Sequence, residues 1–162
     1  MQTFLPYCEF LTSARVLDPR RLGKQRVEAI QVLRGLTVPG YGWRHHPAVK
    51  MWAGYEEALV RYGLDVCQVW TESGRPDTCA TTLLADLADR CGVTVVRSQE
   101  DLTGAGEVPP WLGDEHFHLS HRASLLRKDP EFYRPIFGPD VPDDLPYVWP
   151  ASDRPGRDLP VA

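Results

Sequence analysis

The stretch DPRRLGKQRVEAIQVLRG, from Asp18 to Gly35, decides the fold class. Asp18 is a capping residue, Pro19 suits a first helical turn and Gly35 suits a stop, so the spacing predicts a helix here. On a helical wheel, Leu22, Val27, Ala29, Ile30 and Leu33 fall on one side, and Arg21, Lys24, Gln25, Glu28 and Gln31 on the other. This is an amphipathic helix with an apolar face to bury. Arg26 projects from the middle of that face. A buried guanidinium needs partners, so Arg26 either pairs with an internal carboxylate or borders a cleft where it meets a ligand.

Outward from this helix, residues 1–11 are short and Pro-interrupted, which predicts a docked arm or a short turn. Residues 36–46 read as a loop. His46-Pro47 opens a long helix running to about Ser73-Gly74, with Val49, Trp52, Leu59, Val66 and Trp70 near helical spacing. Asp77 caps a third helix that ends at Gly92. Val93 to Val96 reads as a lone short strand, 98–113 as an acidic Gly- and Pro-containing loop, and 115–128 as a fourth helix. Leu145 to Pro150 is expected to pack on the body in extended form, and 151–162 to be a loose, flexible tail. Long helices with almost no strand signal predict an all-α fold: a single compact helical domain over 1–150, with long loops and an extended Pro-rich C-terminal segment.

The totals agree with this. The chain has 162 residues, 43% of them apolar and 25% charged, which is globular rather than disordered composition. No apolar run approaches the roughly 18 residues of a membrane helix. The N-terminus has no basic start, so no secretion signal is read. The four widely spaced cysteines read as reduced thiols, so a cytoplasmic monomer without membrane contact is expected. Net charge is −4, which argues against a generic nucleic-acid binder. The charge is unevenly spread, however. Residues 1–50 carry a surplus of five positive charges and residues 51–162 a deficit of nine. A basic segment on an acidic body suits a localised phosphate-binding face.

Three stretches carry candidate chemistry. The polar stripe of the 18–35 helix sets one carboxylate, Glu28, a turn from Lys24 and beside Arg21. It is either a solvated face or a carboxylate poised to activate water or stabilise an oxocarbenium-like sugar. The loop Gly40-Tyr41-Gly42-Trp43-Arg44-His45-His46 combines aromatics that stack on unpaired bases with cations that hold phosphate. Its aromatics could equally pin the loop to the core. His118 and His121, at i and i+3, invite a metal reading. They lack a clear third ligand, so no metal and no cofactor are assigned. The stretch from His116 to Arg134 also carries Arg122, Arg127, Lys128 and Arg134 and forms the basic island of the acidic half, read as phosphate contacts or as a solvated surface.

Read together, RLGKQRVEAIQVLRG (21–35) with Gly42-Trp-Arg-His-His-Pro47, the helix after Pro47, and His118-Leu-Ser-His-Arg-Ala-Ser-Leu-Leu-Arg-Lys-Asp-Pro-Glu-Phe-Tyr133 resemble one family. It is the pyrimidine-dimer DNA glycosylases of the endonuclease V type, and the likeness is closer to their short bacterial relatives. It covers roughly residues 3–137. The resemblance implies a helical domain that grips a bent duplex, flips a nucleotide and cleaves a glycosidic bond. It implies an N-terminal α-amine as nucleophile, forming a Schiff base with the sugar, a glutamate on the first helix, and arginines there on phosphate. An α-amine ordinarily titrates near about 7.7–8.0 and is partly free base at neutral pH. The sequence departs from the family at both catalytic points. Gln2 disfavours removal of Met1. Aligned through Gly35, the family's Arg-Glu pair falls on Lys24-Gln25, with Glu28 one turn later on the same face.

The leading expectation is therefore a glycosylase, with or without lyase activity, acting on a damaged or modified base in double-stranded DNA. Glu28 supplies the carboxylate, Met1 or Lys24 the amine, and Gln25 occupies the family's carboxylate position. Arg21, Arg26, Tyr41, Trp43, Arg44, His45, His46, His118, His121, Arg122, Arg127 and Lys128 are the candidate DNA contacts. The alternatives are a non-catalytic module that binds distorted or modified nucleic acid, and an unrelated helical interaction domain whose arginines pair internally.

Overall fold

The computed structural model describes residues 1–160, and all its regular elements are helices, with no strand among the described residues. They are α1 (Phe10–Val16), α2 (Pro19–Thr37), α3 (Pro47–Lys50), α4 (Glu56–Glu72), α5 (Cys79–Cys91), α6 (Gln99–Gly104), α7 (Glu115–Lys128) and α8 (Pro130–Phe137). The all-α expectation holds.

α2 is the central element. Asp18 caps it, accepting from Arg21 N at 3.2 Å. The helix runs two residues past Gly35, whose role is not a stop but a close approach. A Cβ there would meet Val49 Cγ2 at 2.8 Å, so the glycine lets α3 sit on the α2 backbone. At the next crossing, a Cβ on Gly63 of α4 would meet Leu83 of α5 at 2.6 Å and Ala29 of α2 at 3.0 Å. Small side chains at one point thus let three helices converge.

The expected single helix from Pro47 is two. α3 ends at Lys50, and the chain turns through Gly54 (φ +80) before α4 starts at Glu56. Asp77 accepts from the amides of Cys79 and Ala80 at the start of α5, and Gly92 (φ +70) ends that helix in the left-handed conformation. Val93–Val96 is not a strand. Val95 is exposed, and the Val96 carbonyl accepts from Arg61. The acidic loop contains α6, capped by Ser98.

The core is aromatic. Phe10, Trp52, Tyr62, Trp111 and Phe117 are nearly or wholly buried, with edge contacts such as Trp52–Trp111 at 4.9 Å between ring centres. Both indole N–H groups find acceptors, Trp52 on Thr3 Oγ1 and Trp111 on Met51 O.

The wheel misplaces one side of α2. Val27 is 46% exposed, whereas Gln25 and Glu28 are 1% and 8% exposed. The supposed outer stripe is covered by the N-terminal arm. Residues 145–150 run extended along the body, with Val148 N donating to Ser120 Oγ. Of the segment expected to be loose, residues 152–157 contact the body. Tyr55 donates to Asp153, Ser152 to Ala53 O, and Arg154 pairs with Glu107. Residues 161–162 of that expectation lie outside the described residues.

Candidate active site

The N-terminal arm is buried from Gln2 to Leu5, and most of its backbone groups are bonded to side chains from elsewhere in the chain. A buried peptide group without a partner is costly, so an irregular segment at this depth must be satisfied by side chains. Gln25 does most of this. Its Oε1 accepts from Phe4 N at 2.8 Å and from the Tyr62 hydroxyl at 2.6 Å, and its Nε2 donates to Gln2 O at 3.0 Å. The same Nε2 donates to Glu28 Oε2 at 2.6 Å, and Gln2 N donates to that oxygen at 3.3 Å. An amide can accept and donate at once; a carboxylate at position 25 could only accept.

The arm is gripped from the other side by α7. His118 Nδ1 lies 2.9 Å from Leu5 O, and His118 Nε2 accepts from Gly113 N, so Nδ1 carries the proton and donates. His121 Nδ1 accepts from Leu5 N at 2.9 Å. One residue, Leu5, is thereby held at both its N–H and its carbonyl by an i, i+3 histidine pair. Burial pushes the His121 imidazole down to about 3, with His118 adding to the effect, and burial also lowers His118. Both stay neutral, as acceptance from a backbone N–H requires. Arg122 donates to Pro6 O at 2.7 Å and pairs with Glu115.

This scaffold delivers the chain terminus to a cleft of about 310 Å³, walled by Met1, Gln2, Phe4, Arg20, Arg21, Lys24, Gln25, Glu28, Lys128, Tyr147 and Trp149. Met1 and four basic side chains line the cleft with one carboxylate, on a chain whose net charge is negative. Lys24 Nζ is 4.0 Å from Glu28 Oε1. Arg21 is anchored by Asp18 at 3.0 Å. Burial opposes ionisation of Asp18, but hydrogen bonds from Tyr133 and Arg21 outweigh it and hold the carboxyl below its usual range. One rim is aromatic. Tyr147 and Trp149 are 5.4 Å apart, Trp149 meets His46 at 5.8 Å, and His46 meets Trp43 at 5.7 Å. His46 is lowered by burial and by the positive charge of the N-terminal amine, which places the amine within electrostatic reach of this rim.

The family model for pyrimidine dimer DNA glycosylase matches residues 1–83. The chain belongs to this family. No curated protein and no solved structure matches it. The match covers the arm, α2 and the Gln25–Glu28 pair, and ends before Lys128, Tyr147 and Trp149, which complete the cleft of this glycosylase-family chain from its C-terminal half.

Of the residues singled out from sequence, Met1, Arg21, Lys24, Gln25, Glu28 and Lys128 share the cleft, and His46 and Trp43 reach its rim. Others lie elsewhere. Arg26 pairs with Asp77 at 2.5 Å and stacks on Trp70, answering its buried position with an internal carboxylate. Arg44 donates to His45, and both line a separate hollow with Lys50 and Arg157. Tyr41 is partly buried in the 41–46 turn, its carbonyl accepting from Arg44 N. His118, His121 and Arg122 hold the arm. Arg127 donates to Asp143 O and Leu145 O. The sequence reading missed Arg20, Gln2, Phe4, Tyr147 and Trp149. The aromatic pair was visible in the Pro-rich stretch, but nothing local said which surface that stretch would cross.

Proposed function

We propose that the chain is a DNA glycosylase of the amine-nucleophile kind, acting on a damaged pyrimidine, with the α-amine of residue 1 attacking the deoxyribose C1′. The carrying observation is the convergence of that terminus and the Glu28 carboxylate in one basic cleft, with most of the arm's backbone groups bonded to side chains on its way there. Such anchoring supplies the orientation that makes an amine attack effectively intramolecular. Glu28 takes the family carboxylate's part from one turn later on α2. It stabilises positive charge developing on the sugar and relays the proton released as the amine becomes an imine. Gln25 organises the arm and aligns Glu28. Arg20, Arg21, Lys24 and Lys128 hold the phosphates flanking the everted nucleotide in double-stranded DNA, and the rim of Trp43, His46, Tyr147 and Trp149 offers faces for unstacked bases. Lyase cleavage of the abasic strand follows from the same imine.

The test is Glu28→Gln, which keeps the acceptor for Gln25 and removes the charge. Turnover on a dimer-bearing duplex is expected to fall by about 10²-fold or more, the range of acid–base catalysis, with DNA affinity kept. Unchanged excision by this variant overturns the role of Glu28.

A further inference from the structure

Gln2 has a side chain that the arm's architecture does not use up. The residue is only 6% exposed and lines the cleft. Its Oε1 accepts from Thr3 N at 2.8 Å. That bond fixes the amide's orientation, because the flipped amide would set an NH₂ group against an N–H. Nε2 is left buried without a hydrogen-bond partner. Buried donors are satisfied in the great majority of cases, so one enclosed without a partner on a residue of the cleft wall points to a ligand. Its neighbour is the Tyr147 phenol, which burial keeps protonated and beside which the Gln2 amide and Ser124 lie. One wall of the cleft therefore carries an amide N–H and a phenol O–H, and Glu28 and Met1 line the same cleft.

Building on the proposed glycosylase function, we propose that Gln2 Nε2, aided by the Tyr147 hydroxyl, binds a carbonyl oxygen of the departing pyrimidine and stabilises the charge that gathers there. As the amine lone pair forms the N–C1′ bond, the C1′–N1 bond breaks, and its electron pair passes into the base and spreads onto O2. The base then takes up the proton shed by the newly formed secondary ammonium, relayed by Glu28, so no further reactant is required. A donor aimed at the atom that gains charge contributes more in the transition state than in the bound substrate. Thus Gln2 acts on base loss alone. It has no task once the base has gone.

The experiment compares two substrates. Gln2→Met keeps a large residue after Met1, so the terminal amine is unchanged, and it removes the donor; Tyr147→Phe removes the hydroxyl. Single-turnover base loss is measured on a duplex with a cyclobutane thymine dimer, read as the thymine freed once the cyclobutane ring is photoreversed, and borohydride-trapped adduct on the same duplex with a preformed abasic site. Gln2→Met is expected to slow base release by about 10- to 100-fold and Tyr147→Phe by less, with abasic trapping within about twofold of the unchanged chain. Equal loss on both substrates would show that Gln2 only holds the arm, and no loss on either would remove it from the reaction. Either result overturns the proposal. If the unchanged chain traps abasic DNA but releases no base, the leaving-group role fails while amine chemistry stands. If it neither traps nor releases, the proposed function falls with it.

Discussion

Residues 20–28 carry four basic side chains, and so do residues 122–134. In the first segment Arg20, Arg21 and Lys24 open onto the cleft and only Arg26 turns inward, to Asp77 and Trp70. In the second only Lys128 reaches the cleft. Arg122 is committed to Pro6 O and Glu115, Arg127 to Asp143 O and Leu145 O, and Arg134 to Gly138 O and Val141 O. The difference is one of available acceptors. Where α2 meets the arm, the Gln2 and Phe4 carbonyls are already taken by Gln25 and the Tyr62 hydroxyl. α7 and α8 lie beside extended chain, Pro6 of the arm and residues 138–145, whose carbonyls are left to the guanidinium groups. Guanidinium groups there replace a missing sheet or helix ladder. A count of cations along the sequence is the same in both places; their use is opposite.

The comparison breaks most readily at Arg122. Replacing it with alanine strands Pro6 O in the buried arm and leaves the exposed Glu115 unpaired, so a loss of about 2 kcal/mol in unfolding free energy is expected by denaturant titration, with amine trapping abolished in parallel. A loss below about 0.5 kcal/mol would return Arg122 to the surface.

The histidine clamp gives the next effect, and its sign is fixed. His121 titrates at about 3 in the fold, against about 6.5 for an unfolded histidine. Between those values the unfolded chain binds the proton and the folded chain does not. This stability is therefore complete above about pH 6.5 and is lost as pH falls towards 3, with His118 shifted in the same direction. Denaturation midpoints should decline between about pH 6.5 and 4.5, before most carboxylates titrate. In His121→Phe the whole curve should lie lower and slope less. An equal slope would place the proton uptake elsewhere.

The smaller effects separate surface from scaffold. The double change Lys24→Ala and Lys128→Ala should leave stability within about 0.5 kcal/mol. It should weaken DNA binding and cut the salt-dependence slope by about 2, one for each phosphate that is no longer neutralised. Arg127→Ala should do the reverse, costing about 1 kcal/mol of stability with the slope unchanged.

These contrasts mark what the sequence could reveal. The helix from Asp18, the cap at Asp77, the stop at Gly92 and the helix over 115–128 rest on local chemistry and were legible. Gly35 was read as a stop because a glycine's use in close packing on Val49 depends on a partner distant in sequence. The Gln25–Glu28 stripe was read as outward-facing because the arm that buries it is itself without periodicity. The carboxylate and the terminal amine could each be named; their meeting in one cleft depends on the grip of His118, His121 and Arg122, more than a hundred residues away along the chain.

The central claim is that an amine at the chain terminus is delivered to a basic cleft for attack on deoxyribose. Its most direct test is borohydride trapping on duplexes bearing a thymine dimer, an abasic site or no lesion, followed by mass mapping of the adduct. The account predicts a covalent adduct on the dimer and abasic duplexes, none on intact DNA, and attachment at the α-amine of residue 1. No adduct on either damaged duplex, or one confined to the side chain of Lys24 or Lys128, would contradict it.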